Sequence, residues 1–174
     1  RAARFVFETH RRRYVVGRAV LRMILGRCLA IHPTQVAFRY GPHGKPLLDG
    51  DDLFFNMSNS DGLAIYAVAR HRRVGVDIER IRDVPDIDAI ARLVFSEQEC
   101  RALEVRSGNV KRRTFFELWT RKEALVKAVG QGLSMPLGTF DVSGDPDKTV
   151  RQVKLGGGLD RECQWTVCDL VQSA

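Results

Sequence analysis

Two carboxylates lie two residues apart in the segment VGVDIE, residues 74–79. Its aliphatic residues alternate, which predicts a buried β-strand with Asp77 and Glu79 together on the other face. Like charges on one strand face repel each other unless a positive group lies between them. Magnesium suits such a pair, because it takes one or two carboxylates, keeps several waters and completes its shell with phosphate oxygens. The segment therefore indicates a site for Mg²⁺ and a phosphate-bearing ligand.

A third carboxylate, Glu123, precedes Lys127 by four residues in WTRKEALVK, residues 119–127. Side chains at this spacing share one face of a helix. Taken alone, the spacing favours a surface ion pair that stabilises the helix by roughly 0.2–0.5 kcal/mol.

The positive charge is concentrated in the first forty residues. They contain nine arginines and a single acidic residue, Glu8, in a chain of net charge +7. This pattern fits a solvated helix face, a surface for a phosphate-bearing ligand, or a surface for an acidic protein. It does not favour a nucleic-acid-binding surface, because the sequence has no aromatic residues interspersed with the arginines in the manner of such surfaces, no zinc-finger spacing and no RNA-binding signature.

Composition favours a cytoplasmic globular protein. The chain has 174 residues, of which 44% are hydrophobic and 28% charged, which is ordinary for a globular domain. No apolar run approaches the ~20 residues of a membrane helix, and the first residues do not predict a secretory signal. The four cysteines form no CxxC pair and no zinc-like spacing, so we expect them to be reduced and buried (Cys28, Cys100, Cys163 and Cys168).

Hydrophobic periodicity predicts an α+β fold, with helices and mostly antiparallel strands in two similar runs. Helices are expected over residues 11–30, 87–95 and 112–130, with a further helix opened by a capping box of Ser96 and Glu99. Strands are expected over 36–40, 54–58, 63–70, 74–79, 139–143, 150–155 and 163–171. The first helix should bury the apolar residues at helical spacing and turn its arginines outward (Val16, Val20, Met23, Ile24 and Cys28).

Five segments together carry a family resemblance. They are GKP (44–46), FNMSNS (55–60), VGVDIE (74–79), FSEQE (95–99) and WTRKEALVKAVGQGL (119–133). Their order and spacing resemble 4′-phosphopantetheinyl transferases of the larger, surfactin-synthetase-activating type, from Arg4 to about Val142. The specific part is GVDIE followed by W-x-x-K-E-A-x-x-K, whereas GKP and FSEQE are weak by themselves.

The resemblance implies an activity and an architecture. Such enzymes transfer the 4′-phosphopantetheine arm of coenzyme A to a serine hydroxyl of an acidic apo carrier protein, and they release adenosine 3′,5′-bisphosphate. The carrier serves fatty-acid, polyketide or peptide synthesis. The implied fold has two similar α+β halves related by a pseudo-twofold axis, residues 1–80 and 81–174. The active site would lie in the cleft between them, and the enzyme would be a functional monomer.

The resemblance also assigns site residues. Mg²⁺ would be held by Asp77, Glu79 and Glu123. Glu123, or a water or hydroxide on the metal, would take the serine proton, and Lys127 would bind the phosphate or stabilise the leaving group. Coenzyme A would be contacted by seven residues (Arg1, Arg13, Gly44, Lys45, Pro46, Ser58 and Asn59).

One of these positions departs from the family pattern. Relatives usually read F-N-x-S-H-S, and Asn59 stands where their histidine contacts the 3′-phosphate of coenzyme A. An amide can still donate a hydrogen bond, but it cannot become cationic. The departure bears on selectivity for the 3′-phosphate and leaves the metal site unaffected.

Two other function classes fit part of the sequence. A magnesium-dependent phosphohydrolase would use Asp77, Glu79 and Glu123, but it would not need GKP or the block over residues 119–133. A non-catalytic basic module that binds RNA or an acidic protein would explain the arginines and leave the three carboxylates unexplained.

Overall fold

A computed structural model describes residues 7–50, 52–144, 149–155 and 164–170. Four α-helices and three two-stranded antiparallel sheets lie in these ranges, which confirms the predicted α+β class. The helices are α1 (Glu8–Leu29), α2 (Ile87–Val94), α3 (Glu97–Glu104) and α4 (Gly108–Val129). The strands are β1 (Arg39–Tyr40), β2 (Pro46–Leu47), β3 (Leu53–Ser60), β4 (Leu63–Arg70), β5 (Val150–Lys154) and β6 (Gln164–Cys168), paired in that order. No helix of the described ranges is long and apolar enough to cross a membrane.

The first hydrophobic cluster forms where α1 lies along the β3–β4 hairpin. Leu21 and Leu25 of α1 pack with Leu53 and Phe55 of β3. Gly17 permits a close approach at the other end of this contact, because a Cβ there would lie 3.2 Å from the Met57 side chain. The hairpin follows from alternating apolar residues around an Asp-Gly turn, as predicted.

The predicted buried face of α1 is wrong at Val16 and Met23, which are 52% and 58% exposed. The other predicted residues, Val20, Ile24 and Cys28, are half-buried. The buried positions of the helix are Gly17, Leu21, Leu25 and Gly26. Apolar residues occur on more than one side of this helix, so periodicity alone cannot select a face. The selection comes from the fit of leucines and a glycine against β3.

Two arginines of α1 are packed against the protein, contrary to the prediction that the arginines turn outward. The guanidinium groups of Arg18 and Arg22 lie 4.7 and 5.1 Å from the Phe38 ring centroid. Arg22 also donates to the carbonyls of Pro33 and Val36 at 3.0 and 2.8 Å. These side chains therefore stabilise the turn after α1 through cation–π and hydrogen-bond contacts.

The second hydrophobic cluster surrounds α4. Phe115, Phe116 and Leu118 of this helix pack with α2, α3 and the β5–β6 hairpin. The predicted capping box is confirmed: Ser96 Oγ accepts from the Glu99 amide and Glu99 accepts from the Ser96 amide. The end of α4 is also confirmed, since Gly130 takes the left-handed conformation (φ 86°) after Val129 that favours glycine at this position.

Several predicted strands differ from the structure. Residues 139–143 contain no strand; the Val142 amide donates instead to the Glu99 carboxylate. Only Arg39 and Tyr40 of the strand expected over 36–40 are paired, whereas β3 is longer than the expected 54–58. Cys28, Cys100 and Cys168 are free thiols, but Cys168 is exposed, so its predicted burial is wrong. Cys163 lies outside the described residues.

The segment over residues 74–79 forms no β-strand, contrary to prediction. Its backbone is bound by side chains of β3 rather than by a ladder of backbone bonds. The Val76 amide donates to Asn56 Oδ1 at 2.9 Å, and the Arg80 amide donates to Ser60 Oγ at 3.0 Å. Gly75 lies directly against α4, where a Cβ would meet the Ala128 amide nitrogen at 2.5 Å. This contact brings Asp77 to the helix that carries Glu123.

Candidate active site

A cavity of about 320 Å³ opens between the GKP turn and the second half of α4. Gly44, Lys45 and Pro46 line one wall, and Glu123 and Lys127 line the other. The floor is completed by β3 and the short helical turns that follow α4. Sequence segments more than seventy residues apart thus meet at one site.

Helix α4 presents Glu123 and Lys127 to the cavity because they are one turn apart on one face. Its buried face carries Leu118, Leu125 and Val126, so hydrophobic packing fixes the helix while these charged side chains remain at the cavity. Burial raises the pKa of the Glu123 carboxyl, Lys127 opposes that shift, and the carboxylates of Asp77 and Glu79 add to it. The raised pKa makes Glu123 a better proton acceptor than an exposed glutamate.

Lys127 makes its ion pair with Asp77. Lys127 Nζ lies 2.5 Å from Asp77 Oδ1, and the exposed fractions of the two side chains are 29% and 3%. Ser58 Oγ joins them, donating to Asp77 Oδ1 at 2.7 Å and accepting from Lys127 at 3.1 Å. The interpretation of Lys127 as a member of a surface ion pair is therefore wrong, since its partner is a buried carboxylate from another segment.

The polar residues of β3 hold the two carboxylates at their spacing. Asn56, Ser58 and Ser60 alternate along the strand and face the same way. Ser58 donates to Asp77, and Ser60 Oγ donates to Glu79 Oε2 at 2.9 Å. The period-two pattern N-x-S-x-S signals this face. Sequence reasoning nevertheless missed Asn56 and Ser60, because it treated the motif as a ligand contact and not as a support for residues 76–80.

Lys45 joins the GKP turn to the end of α4. Its ammonium donates to the carbonyls of Ala128, at 3.0 Å, and of Lys127. Burial, with a smaller repulsion from Arg73, lowers the pKa of Lys45 to about 8. Lys45 thus lines the cavity while it occupies the C-terminal carbonyls of the helix, where a cation is favoured.

The carboxylates have the donor chemistry for a hard cation. Asp77 Oδ2 is buried and has no hydrogen-bond partner among the described residues, which costs free energy unless a cation or donor satisfies it. The oxygen ligands that Mg²⁺ prefers are present in Asp77, Glu79 and Glu123. Among the described residues, however, no three such side chains are close enough to hold one ion. The donor set therefore fits Mg²⁺ chemically without forming a complete cage.

The remaining predicted contacts lie away from the cavity wall. Asn59 is exposed on the face of β3 opposite to Ser58 and Ser60, and Arg13 is exposed on α1. Arg1 lies outside the described residues. The structure therefore brings together Gly44, Lys45, Pro46, Glu123 and Lys127 at the cavity. Ser58 and Asp77 are bound to Lys127, and Glu79 is bound to Ser60 of β3.

The sequence matches two family models. The model of the 4′-phosphopantetheinyl transferase superfamily matches residues 73–170, and a model described as "4′-phosphopantetheinyl transferase, N-terminal" matches residues 1–71. The first match includes Asp77, Glu79, Glu123 and Lys127, and the second includes the GKP turn and β3.

Individual relatives carry the same description. The chain is 42% identical to the 4′-phosphopantetheinyl transferase HetI of Nostoc sp. over 77% of this chain. It is 38% identical to the transferase gsp of Aneurinibacillus migulanus over 79%, and 30% identical to Sfp of Bacillus subtilis strain 168 over 80%. The matched regions cover 58%, 56% and 61% of these relatives, so the chain spans less than two thirds of their length. Both the family models and the relatives place this chain in the 4′-phosphopantetheinyl transferase superfamily.

Proposed function

We propose that this chain transfers the 4′-phosphopantetheine arm of coenzyme A to a serine hydroxyl of an apo carrier protein, with release of adenosine 3′,5′-bisphosphate. The observation that carries the proposal is the cluster of Lys127, Asp77 and Ser58 beside Glu123 at the cavity. An ammonium and a proton acceptor at one cavity suit attack by an alcohol on a pyrophosphate. The names of the relatives support the same reaction.

The residues take distinct roles in this reaction. Transfer breaks the bond between the β-phosphorus and the bridging oxygen of the pyrophosphate, and negative charge develops on the leaving phosphate. Lys127, at the cavity, would stabilise that charge. Glu123, whose pKa burial raises, would accept the serine proton. Asp77, Glu79 and Glu123 would hold Mg²⁺, which supplies Lewis-acid stabilisation of the pyrophosphate when bound.

The two predicted halves have support in the arrangement of elements. One hydrophobic cluster contains residues from α1 through β4, and the other contains residues from α2 through β6. Each half has a 22-residue helix followed by an antiparallel hairpin, namely α1 with β3–β4 and α4 with β5–β6. We propose the pseudo-twofold relation on this basis.

The GKP turn and α4 of one chain line the cavity together, which supports a functional monomer.

The packing of α1 against β3 places Arg13 beside Asn59, which supports a phosphate contact at Asn59. Arg70, which pairs with Leu53, donates to the Cys28 carbonyl, and Met57 reaches Gly17. The helix and strand therefore run in opposite directions. From the contact of Gly17 with Met57, one further helical turn leads to Arg13 and two further strand residues lead to Asn59. Both steps span about 6 Å, so Arg13 and Asn59 are the next pair of facing residues. We propose that these two side chains bind the 3′-phosphate of coenzyme A.

The carrier protein is proposed to be acidic. Arg12, Arg13 and Arg27 of α1 are exposed, and a basic surface would attract an acidic partner and accelerate encounter.

The free thiols of Cys28, Cys100 and Cys168 support a reducing compartment such as the cytoplasm.

A mass measurement tests the proposed function against its alternatives. The protein is incubated with an apo carrier protein, coenzyme A and Mg²⁺, and the intact mass of the carrier is followed. We expect the carrier to gain one phosphopantetheine arm at its serine, and a carrier with that serine changed to alanine to gain nothing. Cleavage of coenzyme A without an adduct would support a phosphohydrolase instead. No reaction, with retention of the carrier by the protein, would support a binding module.

A substitution at Asn59 tests the assignment of the 3′-phosphate. We expect Asn59→His to leave kcat nearly unchanged, because this phosphate is distant from the bond that breaks and contributes uniform binding. KM for coenzyme A should fall modestly, since a charge-assisted hydrogen bond exceeds a neutral one by about 1 kcal/mol. The fall should be larger at pH 6 than at pH 8, because histidine gains charge below its reference pKa of about 6.5.

The matched measurement uses 3′-dephospho-coenzyme A at both pH values. Its KM should not respond to Asn59→His. An equal change in both KM values would contradict the placement of Asn59 at the 3′-phosphate, without bearing on the reaction itself.

A further inference from the structure

The most completely buried ion pair of the described chain lies behind the cavity. Glu99 Oε2 and Lys122 Nζ are 2.8 Å apart, and both side chains are 0% exposed. A buried charge is costly unless it is paired and hydrogen-bonded, so this arrangement needs an explanation. Lys122 directly precedes Glu123 in the sequence, yet it is not among the described residues that line the cavity.

The groups around Lys122 provide one hydrogen-bond acceptor for each N–H donor of a protonated amine. An ammonium group has three N–H donors. They meet the Glu99 carboxylate, the Leu137 carbonyl at 2.7 Å and the Phe140 carbonyl at 2.6 Å. The ammonium also lies 4.3 Å from the centroid of the Phe140 ring. These groups therefore fit a single ammonium group carried by a side chain as long as that of lysine.

The carboxylate extends the same network to a second element. Glu99 Oε2 also accepts from the Ser96 amide at 2.7 Å, and Oε1 accepts from the Val142 amide at 2.8 Å. The pair thus joins three parts of the chain: α4, the start of α3, and residues 137–142. Each of these parts is held by hydrogen bonds to the others, and not only by apolar packing.

The network controls the orientation of the cavity wall. Successive residues of an α-helix are separated by about 100° around its axis. When Lys122 is anchored in the core, the rotation of α4 is fixed, and Glu123 is directed to the cavity. The Leu137 backbone that accepts from Lys122 belongs to a residue that lines the same cavity. The Lys122 ammonium therefore joins α4 to the segment that contains Leu137, and both of these line the cavity.

We infer that Lys122 is a positioning residue for phosphopantetheine transfer: bound by Glu99 and the carbonyls of Leu137 and Phe140, it fixes the rotation of α4 that directs Glu123 and Lys127 at coenzyme A. This inference rests on the proposed function. It assigns Lys122 no contact with the substrate, in contrast to its neighbour Glu123.

The test compares a single and a paired substitution. Lys122→Met leaves Glu99 buried without its partner and can prevent folding. The double variant Glu99→Met/Lys122→Met replaces both charges by apolar chains of similar length, an exchange that is often tolerated or stabilising. We expect the double variant to fold with a lower unfolding free energy, because the amides of Ser96 and Val142 and the carbonyls of Leu137 and Phe140 lose their side-chain partners. Its kcat per folded molecule should fall roughly 10- to 100-fold, because small misplacements of reacting groups are costly. KM for coenzyme A should stay within about twofold, since the GKP turn is untouched.

Arg121→Met is the matched control on the same helix. Arg121 donates to both oxygens of Asp169 at 2.7 and 2.8 Å, and Arg151 also binds Asp169 and would keep it paired. This variant removes a neighbouring half-buried ion pair without altering the carbonyls of Leu137 and Phe140. We expect its kcat to stay within about twofold of the wild-type value at temperatures where it is folded.

Hydrogen exchange gives a readout that does not depend on activity. Amides over residues 137–141 should exchange faster in the double variant and at the wild-type rate in Arg121→Met; the Val142 amide is excluded, because Glu99→Met removes its acceptor directly. A double variant with wild-type kcat, or with unchanged exchange over 137–141, overturns the inference. If the wild-type protein itself transfers nothing, the proposed function fails, and the exchange measurement still decides whether Lys122 positions this segment.

Discussion

Asp77→Asn is expected to lower the rate of phosphopantetheine transfer by about 1,000-fold, the upper range for loss of one charged group that stabilises a transition state. Asp77 is the carboxylate that Lys127 and Ser58 share, and its second oxygen has no hydrogen-bond partner among the described residues. Asparagine keeps the shape and can still accept from Ser58. It cannot neutralise Lys127, and it is a poor replacement for a charged ligand of Mg²⁺.

The measurement is kcat from the mass shift of the carrier protein, taken across a titration with Mg²⁺. Thermal unfolding of the same samples separates a loss of activity from a loss of folded protein. Asp88→Asn provides the control, because Asp88 pairs with Lys111 at 2.7 Å and that lysine is largely buried. It should lose some stability and keep its turnover number. Normal turnover of Asp77→Asn at ordinary Mg²⁺ concentrations would remove Asp77 from the catalytic site.

Lys127→Met is expected to reduce kcat by about 100-fold, which corresponds to roughly 3 kcal/mol of lost charge stabilisation. The variant should also be less stable, because a carboxylate that is almost fully buried loses its ion partner. An ion pair with a purely structural role would produce the second effect and not the first.

Lys111→Met distinguishes these outcomes, since Lys111 lies on the same helix and also pairs with an aspartate. Both variants are measured for unfolding free energy and for kcat at a temperature where each is folded. The proposed role of Lys127 requires a large fall in kcat in Lys127→Met only. A turnover number within twofold of the wild-type value in both variants would leave Lys127 with a structural role.

Features that depend on neighbouring residues could be predicted from the sequence. Alternation and an Asp-Gly turn were sufficient for the β3–β4 hairpin, the S-x-x-E pattern for the start of α3, and Gly130 for the end of α4. The motifs around Asp77 and Glu123 were sufficient to identify the family. In each case the signal lies within a few residues of the feature, so the chain carries it without reference to its fold.

The buried face of α1 could not be predicted in this way. Val16 and Met23 are as apolar as the residues that the helix buries, yet they remain exposed. The choice depends on which side chains fit against Leu53, Phe55 and Met57 of a hairpin more than twenty residues away. Packing density, and not hydrophobicity alone, makes that selection.

The tertiary structure also decided how the candidate site is held together. Residues 74–79 have the alternation of a strand, but the Val76 amide donates to Asn56, and the Arg80 amide just after the segment donates to Ser60, instead of to a neighbouring strand. Lys127 stands one helical turn from Glu123, but its partner is Asp77 from a distant segment. Lys122 adjoins Glu123 in sequence and points into the core, where Glu99 and two carbonyls hold it. The carboxylates and Lys127 indicated the chemistry, whereas the roles of Asn56, Ser60 and Lys122 were determined by long-range contacts, because a buried polar group must be satisfied by whatever the fold brings within hydrogen-bond distance.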